Sequence, residues 1–179
     1  MNRNVLLFGV LGAFAIGAYL AAYTEAGRKL VAQASDEIGA LFVNRGLRNC
    51  NPGNIRRTAT AWNNSFQTQA TCEAAGRVWD ADFVVFYTMA DGVRAVGKIL
   101  TSYARAYGIN TVEGIANRYA PPNENDTASY TDKLAAAVGV GPGQIIDVYA
   151  SLPQLAQGIM YLETGYADTS DNIAQEVYT

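Results

Sequence analysis

Apolar positions fall into three patterns along the chain. From Val5 to Tyr23 they run for nineteen residues without a charge, within the ~17–25 residues that a helical membrane span needs. Between Thr24 and Asn44, residues Leu30, Val31, Ile38, Leu41 and Phe42 recur at helical spacing among polar positions, which predicts a helical stalk. Residues 45–90 carry Asn, Gly, Thr and aromatics around short extended runs such as Val84-Val85-Phe86-Tyr87, so loops and a small sheet are expected. Helical periodicity returns at Asp91, a candidate cap for an apolar face of Val93, Val96, Ile99, Leu100, Tyr103 and Tyr107 ahead of Gly108. Three further helices are predicted. One covers 112–119 and is closed by Pro121-Pro122, and a second covers 127–138 between a cap at Asn125, Asp126 or Thr127 and Gly139. The third starts near Ser151, with Pro153 in its first turn, and runs to Gly165. The expected fold class is α+β, mainly α, divided into an anchor at 1–24, a stalk at 25–44 and a globular domain at 45–179.

The first pattern has two readings. A secretory signal would use Arg3 as its basic region and Thr24-Glu25-Ala26 as a poor cleavage site, but the apolar run is long for a signal, so a retained single-pass anchor is expected. Arg3 on one side and Arg28 with Lys29 on the other give the positive-inside rule little contrast. Gly9, Ala13, Gly17 and Ala21 form a four-residue stripe through which two anchors can self-associate, or which simply reflects composition.

Composition narrows the chemistry. Charged residues make up 16% of the chain, below the roughly 25% of soluble proteins, and a net charge of −3 offers no basic field to a polyanion. Nucleic acid is therefore not an expected partner. The chain contains no histidine, which removes Ser–His and Cys–His nucleophile pairs and His-ligated zinc. An enzyme built from this sequence would work with carboxylates, and no metal or organic cofactor is implied. Cys50 and Cys72 flank the loop-rich stretch at a spacing unlike a zinc framework. A disulfide between them is expected if the domain is exported, contributing about 3 kcal/mol in the chain-entropy picture, with two free thiols as the alternative.

The densest local signal is Arg45 through Arg56, RGLRNCNPGNIR. Asn51-Pro52-Gly53-Asn54 is a turn rich in amide donors with Arg45, Arg48, Arg56 and Arg57 around it. It is either a loop for sugar hydroxyl and acetamido groups or a turn whose Asn side chains satisfy their own backbone. These residues resemble phage-associated, lysozyme-like peptidoglycan-degrading proteins with a signature close to RGIRNNNPGNIR. The resemblance continues through Trp62, Asp82-Phe83 with Phe86, Asp91–Ala95, Thr111-Val112 and Arg118–Thr127 with Tyr130, and ends at Glu163-Thr164-Gly165. It covers roughly two thirds of the chain and departs at Cys50, where the family usually has Asn, in the longer stretch from Trp62 to Asp82, and in the anchor. A second resemblance is to bacterial N-acetylglucosaminidases of the flagellar and autolysin type, with Leu162–Tyr166, Asn51–Arg56, Phe83–Phe86 and Tyr119-Ala120 with Tyr130 and Lys133 matching in permuted order.

The resemblance implies a lysozyme-like domain and ranks its acids. Glu163, at the end of an apolar helix, is the first candidate for a general acid, because desolvation there would raise its pKa. Glu124, Asp91 and Asp82 are the candidates for a second carboxylate. Helix capping is the competing role for Glu124, Asp126 and Asp91, and a turn for Asp82. Glu37 is expected to be a solvated stalk residue. Asn51, Asn54, Arg56, Tyr119 and Tyr130 are the candidate substrate-binding residues, with Trp62 and Tyr166 as further stacking faces. The expected function is cleavage of peptidoglycan glycan strands, as a lytic transglycosylase or as a muramidase or glucosaminidase, by a phage or prophage protein. It would be held in a virion membrane or the host inner membrane with its domain facing the periplasm. A non-catalytic virion or peptidoglycan-binding protein of the same fold is the alternative, and an amide-cleaving peptidase is disfavoured by the absence of histidine.

Overall fold

A computed structural model describes residues 44–165 and 176–178 of the chain. They belong to one compact unit, Asn44–Thr179. Six helices follow one another: α1 (Arg45–Arg48), α2 (Gln69–Ala74), α3 (Met89–Tyr107), α4 (Val112–Tyr119), α5 (Thr127–Val138) and α6 (Leu152–Thr164).

Capping explains where the long helices begin and end. Thr88 starts α3 in a capping box, its hydroxyl accepting from the Asp91 N–H while the Asp91 carboxylate accepts from the Thr88 N–H, and Gly108 ends it with φ 65°. Asp91 is thus the third helical residue rather than the cap itself. Thr111 caps α4, Asp126 caps α5, and Gly139 and Gly165 close α5 and α6 in the left-handed region. Helix α6 is buried on nearly all sides through Leu152, Leu155, Ala156, Ile159 and Met160. It packs against α5, α3 and α1, and α5 packs in turn against α4. Gly158 permits the close crossing with α5, since a Cβ there would lie 2.7 Å from Leu134 Cδ1.

The expected α+β class is corrected to a helical fold. Pairing between extended segments amounts, among the described residues, to isolated bridges: Arg56 with Phe83, Ser65 with Phe86 and Thr111 with Ile145. Side chains stitch the loops where a ladder would have done so. Asn51 donates to the carbonyls of Ile55 and Val84, both at 2.9 Å, and accepts from Ile55 N–H. The Asp80 side chain, 2% exposed, accepts from Asn49 Nδ2 and the N–H groups of Asp82 and Phe83 and pairs with Arg45 and Arg48.

Two further expectations are corrected. No helix among the described residues is long and apolar enough to cross a membrane. The expectation of a single span ahead of the domain, and of the single-pass membrane placement that went with it, is corrected to that extent, since the described residues supply no such helix. Residues 5–23, on which that expectation fell, and the stalk up to residue 43 lie outside the described residues. The disulfide is not formed, and Cys50 and Cys72 are free thiols. Arg77 engages both sulfurs, its guanidinium donating to Cys50 Sγ at 3.1 Å while its carbonyl accepts from Cys72 Sγ at 3.6 Å.

Candidate active site

The last turn of α6 brings Glu163 to the Asn loop. Gly46 of α1 packs so tightly here that a Cβ would lie 2.5 Å from Thr164 Cγ2 and 2.8 Å from Asn54 Oδ1. Asn54 is held at φ 46°, a left-handed conformation that Asn tolerates better than other residues with a Cβ. From there its Nδ2 donates to Glu163 Oε2 at 3.0 Å and to the Glu163 carbonyl at 3.2 Å. Tyr130, on α5, donates its hydroxyl to Glu163 Oε1 at 3.2 Å. Both carboxylate oxygens therefore have a neutral donor, and among the described residues no cation pairs with them.

The cleft in front of Glu163 has a volume of about 400 Å³. Asn54 and Arg56 form one side, Tyr119, Pro121 and Glu124 another, and Trp62, Phe83, Ile99 and Tyr103 supply apolar and aromatic surface. Tyr119 fixes the relation of the two sides by donating to the Gly53 carbonyl at 2.6 Å. At the rim Arg56 pairs with Glu124 at 3.0 Å, both side chains being half or more exposed.

Burial sets the electrostatics. Desolvation pushes the Glu163 carboxyl above its ordinary 4.5, and the hydrogen bonds from Asn54 and Tyr130 only partly offset it. The Tyr119 and Tyr130 hydroxyls are raised by burial first and by the Glu163 charge second, so they remain donors at any physiological pH. Such a site can hold a proton on Glu163, deliver it to an oxygen in the cleft, and then stabilise the carboxylate that is left.

The structure brings Glu163, Asn54, Arg56, Tyr119, Tyr130 and Glu124 together. Asn51 is fully buried with its amide satisfied by backbone, so it shapes the loop and does not reach the cleft. Asp91 lies in a neighbouring pocket, held by Thr88, Asn64 and Arg94. Burial opposes its charge, but these partners prevail and keep its carboxyl below the usual range. Asp126 caps α5, and the Asp82 side chain is exposed 3.8 Å from Arg45. Glu37 and Tyr166 lie outside the described residues. Tyr103 and Ile99 were expected only as core on α3, and their position in the cleft could have been found only from the long-range packing of α3 beside α6. Among the described residues no three His, Cys, Asp or Glu side chains converge to hold a metal ion.

The chain matches no family model. It is similar to protein P5 of Pseudoalteromonas phage PM2, at 32% identity over 124 residues spanning 68% of this chain and 71% of the relative.

Proposed function

The chain belongs to the family of protein P5 of Pseudoalteromonas phage PM2, and we propose that it is a glycosidase cleaving the glycan strands of peptidoglycan, with Glu163 as its acid. One observation carries this reading. Glu163 is a partly buried carboxyl of raised pKa, bonded among the described residues to neutral donors, and it faces a cleft with the aromatic surface and amide groups that suit an acetamido sugar.

The surroundings favour a one-acid mechanism. Glu124 is the other carboxylate along the cleft among the described residues, and it is exposed and paired with Arg56. In that mechanism Glu163 donates its proton to the glycosidic oxygen as the bond to the anomeric carbon breaks. The sugar's own primary hydroxyl then attacks that carbon and returns its proton to Glu163. An anhydro ring forms, no water is consumed, and the acid is regenerated. Asn54 and Tyr130 stabilise the intervening carboxylate.

The test is mass spectrometry of fragments released from purified sacculi by the full chain and by Glu163→Gln. Anhydro-ended glycan fragments from the wild type and a loss of at least about 100-fold in the variant are expected. Reducing ends would instead assign water as the nucleophile and Glu124 as its base. No release by either protein, with sacculus binding intact, would make the chain a non-catalytic peptidoglycan-binding protein of the same fold.

A further inference from the structure

A second pocket, of about 270 Å³, adjoins the Glu163 cleft and shares Thr58 and Trp62 with it as a common wall. Trp62 is half-buried and held edge-on against Phe86, with ring centroids 6.2 Å apart, so the wall is backed by the core. Asn63, Asp91, Arg94 and Lys98 line the far side.

Of the two cations that line this pocket, one is committed to acidic partners and the other is not. Asp91 is neutralised by Arg94 and hydrogen-bonded by Thr88 and Asn64, and Arg94 also pairs with Glu176. Lys98, one turn further along α3, is exposed and has no acidic partner among the described residues. A chain with a net charge of −3 thus presents an unpaired cation in a concave site next to its cleft.

We infer that this pocket receives the acidic peptide carried on the glycan strand, with Lys98 pairing a peptide carboxylate. The inference rests on the glycan-strand reading above and adds a substituent to it. In peptidoglycan the peptide is attached through a lactyl group to a ring of the strand. A ring seated in the cleft with its substituent towards the shared wall would carry the peptide past Trp62. Tethering makes the second contact intramolecular, so one ammonium–carboxylate pair suffices for a measurable preference. The amides of Asn63 and the Thr58 hydroxyl offer donors and acceptors to a peptide backbone.

The experiment uses the full chain carrying Glu163→Gln, to prevent turnover, and calorimetric titration with a soluble disaccharide–tetrapeptide and with the same disaccharide lacking peptide. The peptide-bearing ligand is expected to bind about tenfold tighter. Adding Lys98→Gln, and separately raising the salt concentration, should bring that ratio close to one. Equal binding of the two ligands, or a ratio that survives Lys98→Gln, overturns the inference while leaving the glycan reading in place. Binding of neither ligand overturns both.

Discussion

Glu163 gathers its properties from three neighbours of different kinds. The apolar end of α6 removes water from its carboxyl, and Asn54 and Tyr130 give back part of the lost solvation as hydrogen bonds to the charged form. Because the reactive form is the acid, activity should fall as pH rises through the raised pKa of Glu163. Tyr130→Phe removes one donor that favours the carboxylate, so its basic limb should lie at higher pH than that of the wild type. A pH profile of kcat/KM for the two proteins decides this, and an unshifted or lower limb would show that Tyr130 does not govern the proton on Glu163. At this scale residue type and motif position singled out Glu163, Asn54 and Tyr130 in the sequence, and the fold joins the three by hydrogen bonds. The sequence was misleading about Asn51, which has the same side chain as Asn54 and stands three residues earlier. A buried carbonyl pair from Ile55 and Val84 captures Asn51, and one of the two partners is 33 residues away. Cys50 sits at φ 50°, a left-handed position that the Asn of the resembled signature would occupy with less strain.

Helices were legible wherever their ends carry local signals. The stretches 112–119 and 127–138 were expected as they occur, because Thr111, Asp126 and Gly139 stop and start them without help from distant residues. The small sheet expected from Val84–Tyr87 does not form, since Val84–Phe86 is buried by core packing and held by single bridges and side-chain amides that no periodicity records. The same limit applies to α1, a four-residue helix whose role is to bring Gly46 against Thr164. Gly46→Ala tests that contact. Its Cβ would meet Thr164 Cγ2 at 2.5 Å and the Asn51 carbonyl at 2.8 Å, and the second of these is backbone that cannot turn aside. Destabilisation of about 1–3 kcal/mol is expected, read as a lower urea midpoint at unchanged slope. Because Asn54 Oδ1 is the third atom in the way, the variant should also lose activity at urea-free, fully folded conditions. Full activity in a destabilised protein would mean that the α1–α6 contact supports the fold alone and does not set the Asn54–Glu163 hydrogen bond.

Across the described residues three carboxylates have displaced pKa values, and they fall into two groups with opposite linkage to folding. Asp80 and Asp91 are buried, which opposes their charge. Asn49, the Phe83 and Asp82 N–H groups and Arg45 for the first, and Thr88, Asn64 and Arg94 for the second, outweigh that effect and lower both pKa values below 3.8. Their contribution is present above the unfolded pKa and is lost as pH falls through the folded one. Glu163 is displaced the other way, above 4.5. The native state therefore holds the Glu163 proton where the unfolded chain has released it. Its contribution is complete below 4.5 and is lost as pH rises through the raised value. Stability should accordingly fall on the acid side through the two aspartates and decline on the other side of its maximum through Glu163. Glu163→Gln removes only the second effect, because an amide does not titrate while its shape and its hydrogen bond to Tyr130 can persist. Thermal midpoints measured from pH 3 to pH 8 should thus show wild type and variant descending together in acid. From pH 4.5 upward the variant should gain on the wild type, and parallel curves over that range would mean that Glu163 titrates in the fold as it does in the unfolded chain. Such a result would also remove the electrostatic basis for its role as an acid, since the same desolvation that costs stability keeps the proton on Glu163 for transfer.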